Sequence, residues 1–78
     1  MYYTYVLKSL TDSILYIGFT EDLKKRLDEH NNGSVESTRN RIPFCLTYYE
    51  ACLDKEKALK REKYFKTGFG RKFLKSRI

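Results

Sequence analysis

Two runs rich in β-branched and aromatic residues, YYTYVLKS at 2–9 and ILYIGF at 14–19, are separated only by Leu10-Thr11-Asp12-Ser13. Such runs read as strands, and the polar spacer has the composition of a turn. A hairpin closed there dictates its own register. Tyr5 falls opposite Gly18 and Leu7 opposite Tyr16, which puts both tyrosines on one face. A chain of 78 residues hides only about 60–65% of its unfolded surface. Its core must therefore be economical, one sheet covered by two or three helices.

The rest of the chain supplies that cover. Thr20 is a good N-cap, with Glu21 and Asp22 in the first turn where the helix dipole favours acids. The helix it opens runs to about Asn31, and Gly33 stands where a helix C-terminus wants glycine. Residues 33–43, GSVESTRNRIP, are polar and loop-like. FCLTYYEAC at 44–52 reads as a third strand with apolar residues on both faces, which predicts burial on both sides. Asp54 caps a second helix over 55–66, and Gly70 precedes a short basic helix over 71–78. The order ββαβαα predicts an α+β fold, a three-stranded antiparallel sheet flanked by helices, in a single domain spanning 1–78.

Several classes drop out. No apolar run approaches the ~20 residues of a membrane span, and a start that reads directly as strand leaves no place for a signal peptide. Cys45 and Cys52 lack metal-site spacing and read as reduced thiols of a cytoplasmic protein. The net charge of +6 is uneven: residues 1–54 hold six Lys/Arg against eight Asp/Glu, while residues 55–78 hold ten against Glu56 and Glu62. A basic C-terminal third is the footprint of a surface that meets phosphates. Lys60, Arg71, Lys72 and Lys75 are the expected contacts, with Arg39 and Arg41 (beside Thr38 and Asn40) reaching a strand from the loop. Tyr64, Phe65, Phe69 and Phe73, interleaved with those cations, are expected in the core.

Polar groups interrupt the apolar faces. Read as a helix, ALKREKYF at 58–65 places Ala58, Leu59 and Phe65 on one arc and Glu62 in its middle. On the first helix Leu23 and Leu27 mark the inward stripe, His30 projects within it, and Arg26 lies at its edge one turn earlier. An acid, a guanidinium, an imidazole and the phenols of Tyr5 and Tyr16 gathered at one sheet face are costly to bury without a purpose. They suit metal-assisted phosphodiester cleavage. A carboxylate holds Mg²⁺, an arginine neutralises the phosphate, and a phenol or imidazole handles protons.

These residues resemble the GIY-YIG nuclease superfamily, in particular its small stand-alone bacterial branch, and are similar to the N-terminal nuclease domain found in excision-repair incision proteins. The second half of the signature is intact as Tyr16-Ile17-Gly18. The first half falls on Tyr3-Thr4-Tyr5 and keeps only its final tyrosine, with ten residues between Tyr5 and Tyr16. The family's helix arginine matches Arg26, its His-or-Tyr position matches His30, and its metal-binding glutamate matches Glu62. EHNNGSVESTRNRIP looks like the loop of the stand-alone branch.

The resemblance implies a metal-dependent endonuclease that cleaves phosphodiester bonds in DNA, structure-selective and repair-related. Glu62 would hold one Mg²⁺ or Mn²⁺, Arg26 would neutralise the phosphoryl group, and Tyr5 or His30 would activate water with Tyr16 in support. Gly18 would allow close backbone approach. The partners implied are nucleic acid and a repair complex, with no membrane and a monomeric chain. The alternative is a non-catalytic nucleic-acid-binding or repair-accessory module that retains a degenerate nuclease site.

Overall fold

The strand made first ends up in the middle of the sheet. A computed structural model describes residues 1–78, in the order β1 (Tyr2–Ser9), β2 (Leu15–Thr20), α1 (Leu23–Asn31), a 3-10 turn (Arg39–Arg41), β3 (Phe44–Cys52), α2 (Lys55–Phe65) and α3 (Gly68–Lys75). The sheet order is β2-β1-β3 and both pairings are antiparallel. The hairpin has the expected register, Tyr5 opposite Gly18 and Leu7 opposite Tyr16. This is the α+β fold that the sequence predicts.

Because side chains alternate along a strand, β1 builds a core on each face. Val6 packs with Ile17, Phe65 and Leu74 beneath α2 and α3. Tyr5 and Leu7 pack with Phe44, Leu23 and Leu27 beneath α1. Thr4, buried on the α2 face, donates its hydroxyl to the Ala58 carbonyl at 2.7 Å and so ties strand to helix. Arg61 completes that layer. It donates to both carboxylate oxygens of Glu50 on β3, at 2.8 and 2.7 Å. Its guanidinium also lies over the rings of Tyr64, Phe65 and Phe73, within 5.2 Å of each centroid. The planar fork and the flat cation are both in use, which a lysine could not reproduce.

Three expectations are corrected. The N-cap of α1 is Asp22, whose side chain accepts from the Lys25 amide; Thr20 instead closes a turn by accepting from the Asp22 amide. β3 is an edge strand with mostly half-buried or exposed residues, and burial on both faces belongs to the central β1. α3 begins at Gly68 rather than 71, because Thr67 caps it by accepting from the Gly70 amide. That start turns Gly70 and Leu74 inward and leaves Phe69 81% exposed, so Phe69 is not core.

Gly70 sits where α3 crosses the end of α2. A Cβ there would collide with the Tyr64 carbonyl and come within 2.6 Å of Phe65 Cα, whereas nothing lies within 4 Å of one at Gly68. Gly70→Ala is therefore expected to destabilise by about 3 kcal/mol, the upper end for overpacking. Gly68→Ala should hold stability or raise it by up to about 1 kcal/mol. Urea melts of the two variants check the contrast, and equal midpoints would contradict the crossing.

Candidate active site

His30, in the last turn of α1, is fully buried although the helix around it is polar. Both ring nitrogens have partners. Nε2 lies 2.9 Å from the Tyr5 hydroxyl and Nδ1 lies 2.8 Å from Thr38 Oγ1. Aromatic rings pack edge-on around it, with Tyr16 at 4.9 Å and Tyr5 and Phe44 at 5.8 Å between centroids. Burial lowers the imidazole's pKa, and the nearby Arg26 charge lowers it further against a smaller opposing effect of Glu29. At neutral pH the ring is uncharged and its polar atoms are satisfied.

Tyr5 is the other buried member, 2% exposed. Burial pushes its phenol above the usual range. The Arg26 guanidinium beside the hydroxyl opposes that shift, and the hydroxyl also shares a hydrogen bond with His30 Nε2. The ring runs over Gly18 of β2, where a Cβ would collide with the hydroxyl end and come within 2.9 Å of Cε1. Gly18 thus admits a side chain of the same protein, and it carries the phenol across the edge strand. Tyr16 lies on the same face with its ring 6.4 Å from that of Tyr5.

Glu62 does not share that face. α1 and α2 cover opposite sides of the sheet, so the expected gathering of all five groups at one face is corrected. Arg26, His30, Tyr5 and Tyr16 belong to the α1 side and Glu62 to the α2 side. What unites them is the edge strand β2. The Tyr5 hydroxyl reaches out over Gly18, and there the Glu62 charge acts on it. Nor is Glu62 paired with Arg26 or a phenol. It pairs with Lys66 at 3.5 Å, one turn on, and Arg26 pairs with Glu29 at 3.3 Å.

Arg26 and Glu29 also line a shallow polar cleft of about 360 Å³ with Thr20 and Lys25, at the end of β2. A larger apolar groove of about 550 Å³, between α1 and the β1–β3 pair, contains none of the five groups. No cluster of three or more His, Cys, Asp or Glu side chains forms a metal cage. The carboxylates nearest these groups are Glu29, paired with Arg26, and Glu62, only partly buried and paired with the exposed Lys66. That donor set fits a magnesium-type ion, which takes one or two carboxylates and completes its shell with water and substrate phosphate.

The cations divide into used and free. Lys60, Arg71, Lys72, Lys75 and Arg39 are exposed. Arg41 is committed inside the protein. It pairs with Asp12 at 2.8 Å, donates to the Ile14 carbonyl at 2.9 Å and covers the Phe44 ring. Its task is to staple the loop to the hairpin turn. Thr38, expected to face a nucleic-acid strand, is fully buried against His30. Sequence reasoning also missed Asn31, whose amide accepts from the Phe44 N–H and donates to the Phe44 carbonyl. A polar loop and a helix end give no signal of such long-range pairing.

The burial of His30 sets its pH behaviour. The folded state disfavours the imidazolium, so below about pH 6.5, the ordinary histidine value, the unfolded chain binds the proton more readily. Stability should therefore fall as pH drops through that value, until the lower folded pKa is reached. His30 is the only histidine, so an NMR titration reports it alone. The expected midpoint lies below 6.5; one at or above 6.5 contradicts the burial argument.

Comparison with known proteins identifies the family. The family model of the GIY-YIG catalytic domain matches residues 1–75. A UPF0213 protein of Streptococcus pyogenes serotype M3 (strain ATCC BAA-595 / MGAS315) is 49% identical over 65 residues, covering 82% of this chain and 70% of that one. The UPF0213 protein of serotype M5 (strain Manfredo) shows the same identity and coverage. The solution NMR structure of a UPF0213 protein from Bacillus halodurans superposes with a TM-score of 0.60 at 32% identity, over 97% of this chain and 84% of that one. A family model over nearly the whole chain, relatives at 49% identity and a shared fold show that the chain belongs to the GIY-YIG nuclease family, among its UPF0213 proteins.

Proposed function

We propose that the chain is a metal-dependent endonuclease that cleaves phosphodiester bonds in DNA, at branched or single-stranded structures of the kind that arise in repair. The observation that carries this reading is the buried Tyr5–His30 hydrogen bond beside the Arg26 guanidinium, at the edge of the sheet where Glu62 arrives from the other side. A proton acceptor, a cation for phosphate and a carboxylate for a metal meet at an open strand edge. A polymer can lie across such an edge.

Each residue's part follows from its surroundings. His30 is buried and hydrogen-bonded to the Tyr5 hydroxyl, so the two would act as one base. The phenol, whose resting form is protonated, takes a proton from water as it gives its own to Nε2. The imidazolium so formed would be poorly tolerated beside Arg26 alone. Substrate phosphate drawn against the guanidinium supplies the compensating negative charge. Arg26 then neutralises the charge that develops on the phosphoryl oxygens, and Tyr16 closes the site beside the imidazole ring. Glu62 would hold Mg²⁺ or Mn²⁺, which when bound polarises the phosphate and stabilises the leaving oxygen. The exposed Lys60, Arg71, Lys72 and Lys75 would meet the backbone, with Arg39 reaching it from the loop.

Glu62→Gln keeps shape and removes the ligand charge. Only a half-exposed ion pair with Lys66 is lost, worth about 0.5 kcal/mol. The variant should melt within a degree or two of the parent, bind DNA at least as well, and lose Mn²⁺-dependent nicking of branched and single-stranded DNA. Undiminished nicking removes Glu62 from the site. Binding that weakens with salt in a parent that never cleaves favours the non-catalytic binding module.

Arg26→Lys keeps the charge and loses the planar fork. Its one ion pair is a half-buried one with Glu29 on the same helix, so the fold should be little affected. Turnover should fall roughly 10²-fold, the scale of losing one donor to a developing oxyanion. Single-turnover nicking rates check this, and a rate equal to the parent's would assign Arg26 to surface electrostatics.

A further inference from the structure

Thr38 lies in a loop whose composition is that of a solvated surface, yet its side chain is fully buried and its hydroxyl sits 2.8 Å from Nδ1 of His30. The same hydroxyl lies 3.4 Å from the Val35 carbonyl, and the Thr38 amide donates to that carbonyl at 3.1 Å. A hydroxyl has one proton. Counting donors and acceptors along the chain from Val35 to Arg26 decides where each proton resides.

Consider first the imidazole with its proton on Nδ1. It donates to Thr38 Oγ1, Thr38 donates to the Val35 carbonyl, and Nε2 is left as an acceptor for the Tyr5 hydroxyl. The Tyr5 oxygen still has a lone pair for the Arg26 guanidinium, a pure donor. Every group is satisfied. With the proton on Nε2, Thr38 must turn its proton to Nδ1, and the Val35 carbonyl keeps only the Thr38 amide at 3.1 Å. Nε2–H then points at the Tyr5 oxygen, which also faces Arg26. The phenol's own proton is left without an acceptor among these groups, on a residue 2% exposed. Stranding a buried donor in this way is what folded proteins avoid.

We infer that Thr38 is a positioning residue that holds His30 in the Nδ1–H tautomer and so keeps Nε2 free to take the Tyr5 proton. Valine would fill the same space without the hydroxyl. The inference deepens the nuclease reading and its catalytic consequence rests on it, but the tautomer itself is a property of the free protein. Thr38 touches neither substrate nor reacting atoms. It acts through the second ring nitrogen, as outer partners of functional histidines do.

The test uses the full chain labelled with ¹⁵N in its single histidine, free of metal and substrate at neutral pH. The ring nitrogen shifts of the parent should show a protonated Nδ1 and an unprotonated Nε2. Thr38→Val should move the ring toward the Nε2–H form or a mixture and lower kcat for nicking by about ten- to hundredfold, with KM unchanged. Thr38→Ser, which restores the hydroxyl, should restore both. A parent protonated at Nε2 overturns the inference, and so does Thr38→Val with the parent's tautomer. If Thr38→Val does not fold, the parent's tautomer and that of Thr38→Ser decide the matter. A parent with the expected tautomer that never cleaves sinks the nuclease reading and leaves the positioning role intact. A parent that cleaves while protonated at Nε2 sinks the positioning role alone.

Discussion

The alternation of residues 4 to 7 along β1 is the constraint on which the fold depends. Thr4 and Val6 look to one side, Tyr5 and Leu7 to the other, and all four are buried. A small domain has no apolar surface to spare, so making one strand serve two cores is an efficient use of the chain. It also explains why the second strand to pair with β1 comes last. β3 closes the sheet on the side away from β2, and α2 and α3, which follow it in the chain, cover the Val6 face.

This two-sided construction shapes the site. A pocket within one layer would need catalytic groups buried among apolar ones, with the desolvation cost that charged groups carry. Here the phenol and imidazole, both neutral at rest, take the buried positions. The charged groups Arg26 and Glu62 stay near the surface, on opposite sides of an edge strand. Gly18 makes the arrangement possible, because any larger residue would force the Tyr5 ring out of its path over β2.

Much of this was legible in the sequence. The hairpin register followed from the turn and the period of two. Asp54 and Gly33 announced the helix ends they mark, and the site tyrosines, arginine, histidine and glutamate stood out as polar interruptions of apolar stripes. The sidedness was not legible. Helical period tells which residues face inward but not toward which face of a sheet, so Glu62 was expected beside His30. Thr38 and Arg41 were misread for a related reason. Their partners, His30 and Asp12, are brought near only by the folded loop, and a threonine or arginine in a polar run looks the same whether solvated or engaged. Phe69, placed in the core by its spacing among the other aromatics, falls instead in the first turn of a helix that starts three residues early, on its solvent side.

Asn31 has a consequence for motion. Its amide grips the first residue of β3 from both sides, while Arg41 and the hydroxyls of Ser9 and Thr11 fasten the far end of the loop to the hairpin turn. The segment between these anchors carries Thr38, and beneath it lies the imidazole. The loop is thus held at its ends and, through Thr38, at its middle, unlike an ordinary surface loop. Opening it would hydrate His30 and remove the Thr38 partner of its Nδ1, while the bond from Nε2 to Tyr5 joins α1 to β1 and does not depend on the loop. The burial of the imidazole is therefore tied to closure of the loop, a segment whose local opening is governed by these few anchors rather than by the core.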